Sequence, residues 1–244
     1  MDAERLIDHL AENADRLGDA AGRAGWDAPV PACDWTVREL VVHVGGVHRW
    51  AADIVATSSP TSETSAGDAV GTGPADEELL TWYGAGHRTL VDTLRAAPAD
   101  LDCATFLPAD SPRHFWARRQ AHETTIHRVD AEGAAGKVTT IDPELAQDGI
   151  AEILDGFARR KRNAPRAAGT IGLDAVDGPG RVIRLGGERI ESEAGADPGS
   201  ADTVVRGASA DLYRWLWNRP SDAVVEGRED LAAVWAQSVR VRWS

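Results

Sequence analysis

The sequence predicts an α+β protein of two domains: a helical bundle over residues 1–164, then a small α+β domain with a mainly antiparallel sheet over 165–244. Two observations carry this expectation. In the first half, apolar residues recur at helical spacing over long stretches, and four long helices with a connecting fifth make a bundle. Beyond residue 164 the pattern shortens to alternating segments punctuated by Gly and Pro, as in strands joined by turns. A chain of 244 residues is long enough to bury a core in each part.

Leu6, Leu10, Ala14 and Leu17 form the stripe of a first helix, followed by a proline-rich connection from Gly25 to Asp34. Thr36 and Glu39 have the spacing of a capping box, so a second helix starts near Val37 and runs to about Thr57. The stretch from Ser58 to Pro74 is rich in Ser, Thr and Gly and has no period. A loop of this length is either functional or a tolerated surface insertion, and both readings stand. A third helix covers about Asp76 to Ala96 with Leu79, Leu80, Tyr83, Leu90 and Leu94, and a fourth about Pro112 to Ala135. A fifth covers about Pro143 to Arg162, from Leu145 through Ile150, Ile153, Leu154 and Phe157. Its basic end, Arg159-Arg160-Lys161-Arg162, suits the helix dipole and reads as a solvated helix end or an anion patch. Strands are expected at Thr170–Leu173, Arg181–Leu185, Arg189–Glu191 and Thr203–Arg206. A helix from Ser209 to Trp217, a strand at Ala223–Glu226 and a last helix from Asp230 to about Ser238 complete the chain.

The net charge of −13, from 39 acidic against 26 basic residues, argues against binding nucleic acid through its phosphates. No apolar run reaches membrane-spanning length, and Met1-Asp2-Ala3-Glu4-Arg5 lacks the basic start and apolar core of a signal peptide. A cytoplasmic protein without a membrane partner is therefore expected. Cys33 and Cys103 are the only cysteines, too few for a disulfide framework, and neither sits in a nucleophile or ligand motif.

Glu123 and His127 stand four residues apart in a helical segment and so share one face, together with Trp116, Gln120, Asp130 and Ala134. On the second helix His43 points inward with Leu40, Val47, Trp50 and Ile54. Two imidazoles and a carboxylate from packed helices make a three-ligand site with an open position, the pattern of a catalytic zinc. Nickel and iron suit the same donors. The plainer alternative is a buried histidine satisfied by a hydrogen bond, with Glu123 paired to an arginine. Asp130, one turn beyond His127, has three readings: it orients a ligand, contacts a bound molecule or forms a salt bridge. His48 and His122 point away from the proposed metal and read as structural, while Arg119 and Arg128 suit buried ion pairs with nearby acids. Trp35, Trp50, Trp116, Trp215 and Trp217 read as core or interface residues, any one of them a possible pocket wall.

Three stretches resemble a known family. They are Pro31-x-Cys33-x-Trp35-Thr36-Val37-x-Glu39-Leu40-x-x-His43, then Arg119-x-x-His122-Glu123-x-x-x-His127-Arg128-x-Asp130-Ala131, then Asp211-Leu212-x-x-x-Leu216-x-x-Arg219 with Val225-x-Gly227 and Leu231-x-x-x-Trp235. In this order they resemble the mycothiol-dependent maleylpyruvate isomerase-like enzymes, which join a DinB-like four-helix bundle to a sterol-carrier-like α+β domain. The resemblance implies that His43, Glu123 and His127 hold a divalent metal, zinc above all. It implies mycothiol as thiol cofactor or cosubstrate, with Asp130 a candidate for binding it. It also implies that Arg219 reaches the active site as a catalytic residue; the other reading is a helix-end arginine before Pro220. The implied reaction is thiol transfer to a small electrophile, neutral or anionic, or cis–trans isomerisation. A metal-dependent hydrolase using zinc-bound water, and a non-catalytic ligand-binding or regulatory module, are the alternatives. Both a monomer and a homodimer are compatible with such a bundle.

Overall fold

The structure is a computed structural model that describes residues 1–60, 70–160, 163 and 167–239. Residues 61–69 of the Ser58–Pro74 loop, Lys161 and Arg162 of the basic run, and the 164/165 boundary lie outside the described residues. Internal contacts group Met1–Thr139 into one compact unit and the described residues from Thr140 to Val239 into a second. The division precedes the change in composition because the helix that begins at Pro143 packs on the helix Ser209–Leu216.

The first unit is built from α1 (Ala3–Ala24), α2 (Val37–Thr57), α3 (Asp76–Ala96) and α4 (Pro112–Ala134). Each start has a local cause. Asp2 accepts the backbone N–H of Arg5 at the head of α1, and Ser111 accepts that of His114 at the head of α4, where Pro112 fills a position that needs no donor. The Thr36–Glu39 capping box is present at the head of α2. Helix α3 has no side-chain cap but carries Asp76, Glu77 and Glu78 in its first turn, against the positive end of the dipole. Leu17, Leu40, Val41, Val44, Leu79, Tyr83 and Ala131 join the four helices in one core. Burying a leucine or valine contributes about 1.5–3 kcal/mol, so this stripe outweighs helix propensity in holding the bundle.

Two details set the spacing around α2. A Cβ on Gly45 would collide with the ring of Trp82, and one on Gly46 would come within 2.5 Å of the Val70 Cα. Helix α3 and the chain at Val70 therefore approach the α2 backbone directly after His43. Helix α4 is unusual in another way. Arg119, Gln120, His122, Glu123, Thr124, Thr125, His127, Arg128, Asp130 and Glu132 are all buried. Buried polar side chains at this density must satisfy one another or a ligand.

The second unit begins with α5 (Pro143–Ala151), capped by Asp142, and runs on as a π-helical turn, Glu152–Phe157, that buries Ile153, Leu154 and Phe157. The single helix expected here is thus α-helical only to Ala151. Strands β1 (Gly169–Ala175), β2 (Arg181–Leu185), β3 (Glu191–Ala194), β4 (Thr203–Gly207) and β5 (Val224–Gly227) form a sheet of order β3-β2-β1-β4-β5. Three of its pairings are antiparallel, and β1 with β4 is parallel, Leu173 opposite Val205. The connection from β3 passes through a 3₁₀ turn, Pro198–Ser200, that lies against Gly172, where a Cβ would meet the Pro198 backbone. Strand β3 lies later than Arg189–Glu191, because pairing starts at Glu191 opposite Arg184 while the preceding Ile190 turns into the core. Helices α6 (Ser209–Leu216) and α7 (Glu229–Ser238) complete the unit. Trp235 of α7 is buried, stacks on Trp215 and donates its indole N–H to the Leu216 carbonyl at 3.1 Å. No helix among the described residues is long and apolar enough to cross a membrane.

Candidate metal centre

His43, Glu123 and His127 converge inside the first unit. Among the described residues they are the group of His, Cys, Asp or Glu side chains able to share a metal ion, with ligand atoms all within 4.8 Å of one another. One carboxylate oxygen is their meeting point. Glu123 Oε1 lies 3.4 Å from His43 Nε2 and 3.2 Å from His127 Nε2. Metal–ligand bonds of about 2.0–2.2 Å at tetrahedral angles place neighbouring ligand atoms roughly 3.3 Å apart, so both separations fit a shared zinc-sized ion. The other oxygen, Glu123 Oε2, accepts a hydrogen bond from Arg119 at 3.0 Å, which leaves Oε1 to face the imidazoles.

Local structure explains the convergence. The capping box fixes where α2 begins and hence the face on which His43 falls. On α4, Glu123 and His127 are one turn apart, and Asp130 follows within hydrogen-bond reach: its Oδ2 is 3.0 Å from His127 Nδ1. This bond holds the ring with Nε2 toward Glu123, the arrangement in which a carboxylate orients a metal-binding histidine. Trp35 walls the site, its ring 4.9 Å from that of His43 and stacked 6.1 Å from that of His127. Trp35 directly precedes the capping threonine, and that position was the available sign that it folds back over the start of α2. His43 and His127 retain 7% and 8% exposure against 1% for Glu123, so the imidazole edges form the open side.

The electrostatics follow from burial and pairing. Burial opposes ionisation of Glu123, but its bonds to His127 and His43, with the charges of His127 and Arg119, hold its carboxyl well below the usual range. Burial likewise disfavours a charged His127, yet its bonds to Asp130 and Glu123 prevail and raise its pKa to about 9 in the metal-free protein. Without metal the site therefore holds a proton between carboxylates. A divalent cation bound there would take that proton's place.

The remaining candidates fall elsewhere. His48 is fully buried beside Thr124, 2.8 Å from its hydroxyl, and burial lowers its pKa to about 3, so it stays neutral. His122 is buried and outside the triad. Arg128 pairs with Glu132 at 3.2 Å, the ion pair expected of it. Cys33 is exposed and Cys103 buried, and neither belongs to the cluster. Arg219, in the second unit, donates to the Trp217 carbonyl at 3.0 Å just beyond α6.

Residues 7–132 match the family described as mycothiol maleylpyruvate isomerase N-terminal domain, and residues 144–234 match its C-terminal domain family. Two solved structures, the mycothiol-dependent maleylpyruvate isomerase and a mutant of it, align with TM-scores of 0.64 and 0.65 at 17% identity, over 93% of this chain and 93% of each of theirs. At that identity the likeness is one of fold. Two Mycobacterium tuberculosis proteins, the uncharacterized protein MT0763 of strain CDC 1551 and the uncharacterized protein Rv0738 of strain H37Rv, are 27% identical over 143 residues. That alignment takes in 57% of this chain and 65% of the length of those relatives. With both of its units matched in order, the chain belongs to the mycothiol-dependent maleylpyruvate isomerase family.

Proposed function

We propose that the chain is a metal-dependent enzyme that uses mycothiol, with zinc held by His43, Glu123 and His127. Its reaction is thiol transfer to a small electrophile or cis–trans isomerisation of the maleylpyruvate isomerase type. The observation that carries this reading is the meeting of two imidazole nitrogens on one carboxylate oxygen at metal-ligand spacing, in a chain of this family. The donor set fits zinc, with three protein ligands and room for a fourth. Zinc bound there supplies a Lewis acid that lowers the pKa of a thiol at its open position.

The protein side chains supply the rest. Asp130 holds His127 with Nε2 turned to the site and takes part in binding the thiol cofactor. Arg119 occupies Glu123 Oε2, so Glu123 offers a single oxygen. The Trp35 ring covers the imidazoles and limits the water that reaches them. In this reading Arg219 holds a carboxylate of the substrate through its planar guanidinium.

Elemental analysis of the purified protein tests the first half of the reading, and calorimetric titration of mycothiol into metal-loaded and metal-stripped forms tests the second. About one zinc per chain, with thiol binding confined to the loaded form, is the expected result. Metal without thiol affinity would point instead to attack by metal-bound water. Unchanged metal content in His43→Ala, Glu123→Ala and His127→Ala would remove the site assignment.

A further inference from the structure

Gln120 is wholly buried in α4, yet among the described residues neither its amide nitrogen nor its amide oxygen has a hydrogen-bond partner. His48 of α2 is wholly buried too, and while its Nε2 meets Thr124, its Nδ1 has no partner among the described residues. Thr124 links the two residues. Thr124 follows Gln120 by one turn on the same face of α4, and Thr124 is the residue that His48 touches. The two helices run past each other in opposite senses: His43 meets Glu123 and His127, His48 meets Thr124, and Trp50 meets Trp116. Gln120 lies between the last two contacts, in the layer directly beneath the metal ligands.

Buried polar atoms without partners are costly against the small net stability of a domain, and internal water commonly satisfies them. The three atoms here comprise an amide donor, an amide acceptor and a ring nitrogen that serves as either. Only an uncharged guest that both donates and accepts satisfies all of them. The surroundings then extend outward. The Tyr83 ring is 5.8 Å from that of His48, and the His87 ring is 5.6 Å from that of Tyr83. His87 Nδ1 is a further buried atom without a partner among the described residues, while His87 Nε2 lies 3.2 Å from the largely exposed carboxylate of Asp15.

We propose that Gln120 and His48 enclose an internal hydration site beneath the metal centre, and that bound water continues past Tyr83 to His87 and Asp15 at the surface. The inference concerns this chain's own polar core and stands apart from the reaction proposed above. It would place exchangeable water behind Glu123 as well as at the mouth of the site.

The test uses the full-length, metal-free protein with water as the probe, so the fate of the metal assignment does not affect it. Oxygen-17 magnetic relaxation dispersion counts internal waters of long residence time. The wild type is expected to hold such waters, and Gln120→Leu at least one fewer, while melting no lower because an apolar side chain replaces the orphaned amide. If Gln120→Leu fails to fold, Gln120→Met gives the same comparison. An equal count in wild type and variant overturns the proposal. So does a high-resolution crystal structure in which the Gln120 amide bonds His48 directly with no water between them.

Discussion

Asp130 and Arg119 both serve the candidate centre, but in ways that measurement can separate. Asp130 acts on His127 through a 3.0 Å bond at Nδ1 and through its charge. Asp130→Asn keeps the shape and loses the charge, so zinc affinity is expected to fall about 10–100-fold, read by competition with a chromophoric chelator. Arg119 is wholly buried and pairs with Glu123 Oε2 at 3.0 Å. Arg119→Met strips a buried carboxylate oxygen of this cation, and breaking such a pair costs about 3–5 kcal/mol. Chemical denaturation of the metal-free protein should show that loss. A variant of unchanged stability would mean that the guanidinium does not neutralise Glu123. Helix periodicity put Glu123 and His127 on one face and His43 on an inward face, but their grouping as ligands rested on the family resemblance, because periodicity within a helix does not say which helices meet. The 3.0 Å bond from Asp130 was one of three open readings, because spacing places a side chain on a face but does not choose its partner.

At the scale of elements, α2 and α4 were readable almost to the residue, and the start of α2 was readable because a capping box is a local signal. Features that depend on distant partners were not. The parallel pairing of β1 with β4 depends on where the chain returns, and β3 is an edge strand whose register is set by β2 rather than by its own polar residues. The grouping of α5 with the second unit likewise rests on its packing against α6, not on composition. The Gly45-Gly46 pair shows the same limit. It reads as a weakness within a helix, yet the structure uses it to admit Trp82 and Val70. Because a Cβ on Gly46 would press on backbone at Val70, Gly46→Ala is expected to destabilise the first unit by about 1–3 kcal/mol despite its better helix propensity. A melting temperature equal to or above that of the wild type would show that the chain at Val70 yields freely.

For the whole molecule, the titration of three buried groups predicts how stability follows pH. His48 has a folded pKa of about 3, below the unfolded value near 6.5, so the unfolded chain binds the extra proton between them and stability falls as pH drops through that range. Glu123, held low when folded, adds to the loss below its unfolded value. His127 acts in the opposite sense. Its folded pKa of about 9 exceeds the unfolded value, so its contribution is complete below about pH 6.5 and disappears as pH rises toward 9. The metal-free protein should therefore be most stable near pH 6.5, with each histidine contributing a slope of up to about 1.4 kcal/mol per pH unit on its own side. Urea denaturation across pH 4–9 measures this dome, and His48→Gln should flatten the acid limb while leaving the alkaline one. Metal acts on both sides: it steepens the acid limb, because its ligands must be unprotonated to bind it, and it removes the alkaline decline. A cation at His43, Glu123 and His127 requires a neutral His127, so zinc must displace its proton and apparent affinity should rise up to about tenfold per pH unit toward pH 9. Once zinc is bound, the alkaline decline in stability should vanish. An alkaline limb identical with and without zinc would show that the ion binds somewhere other than His127.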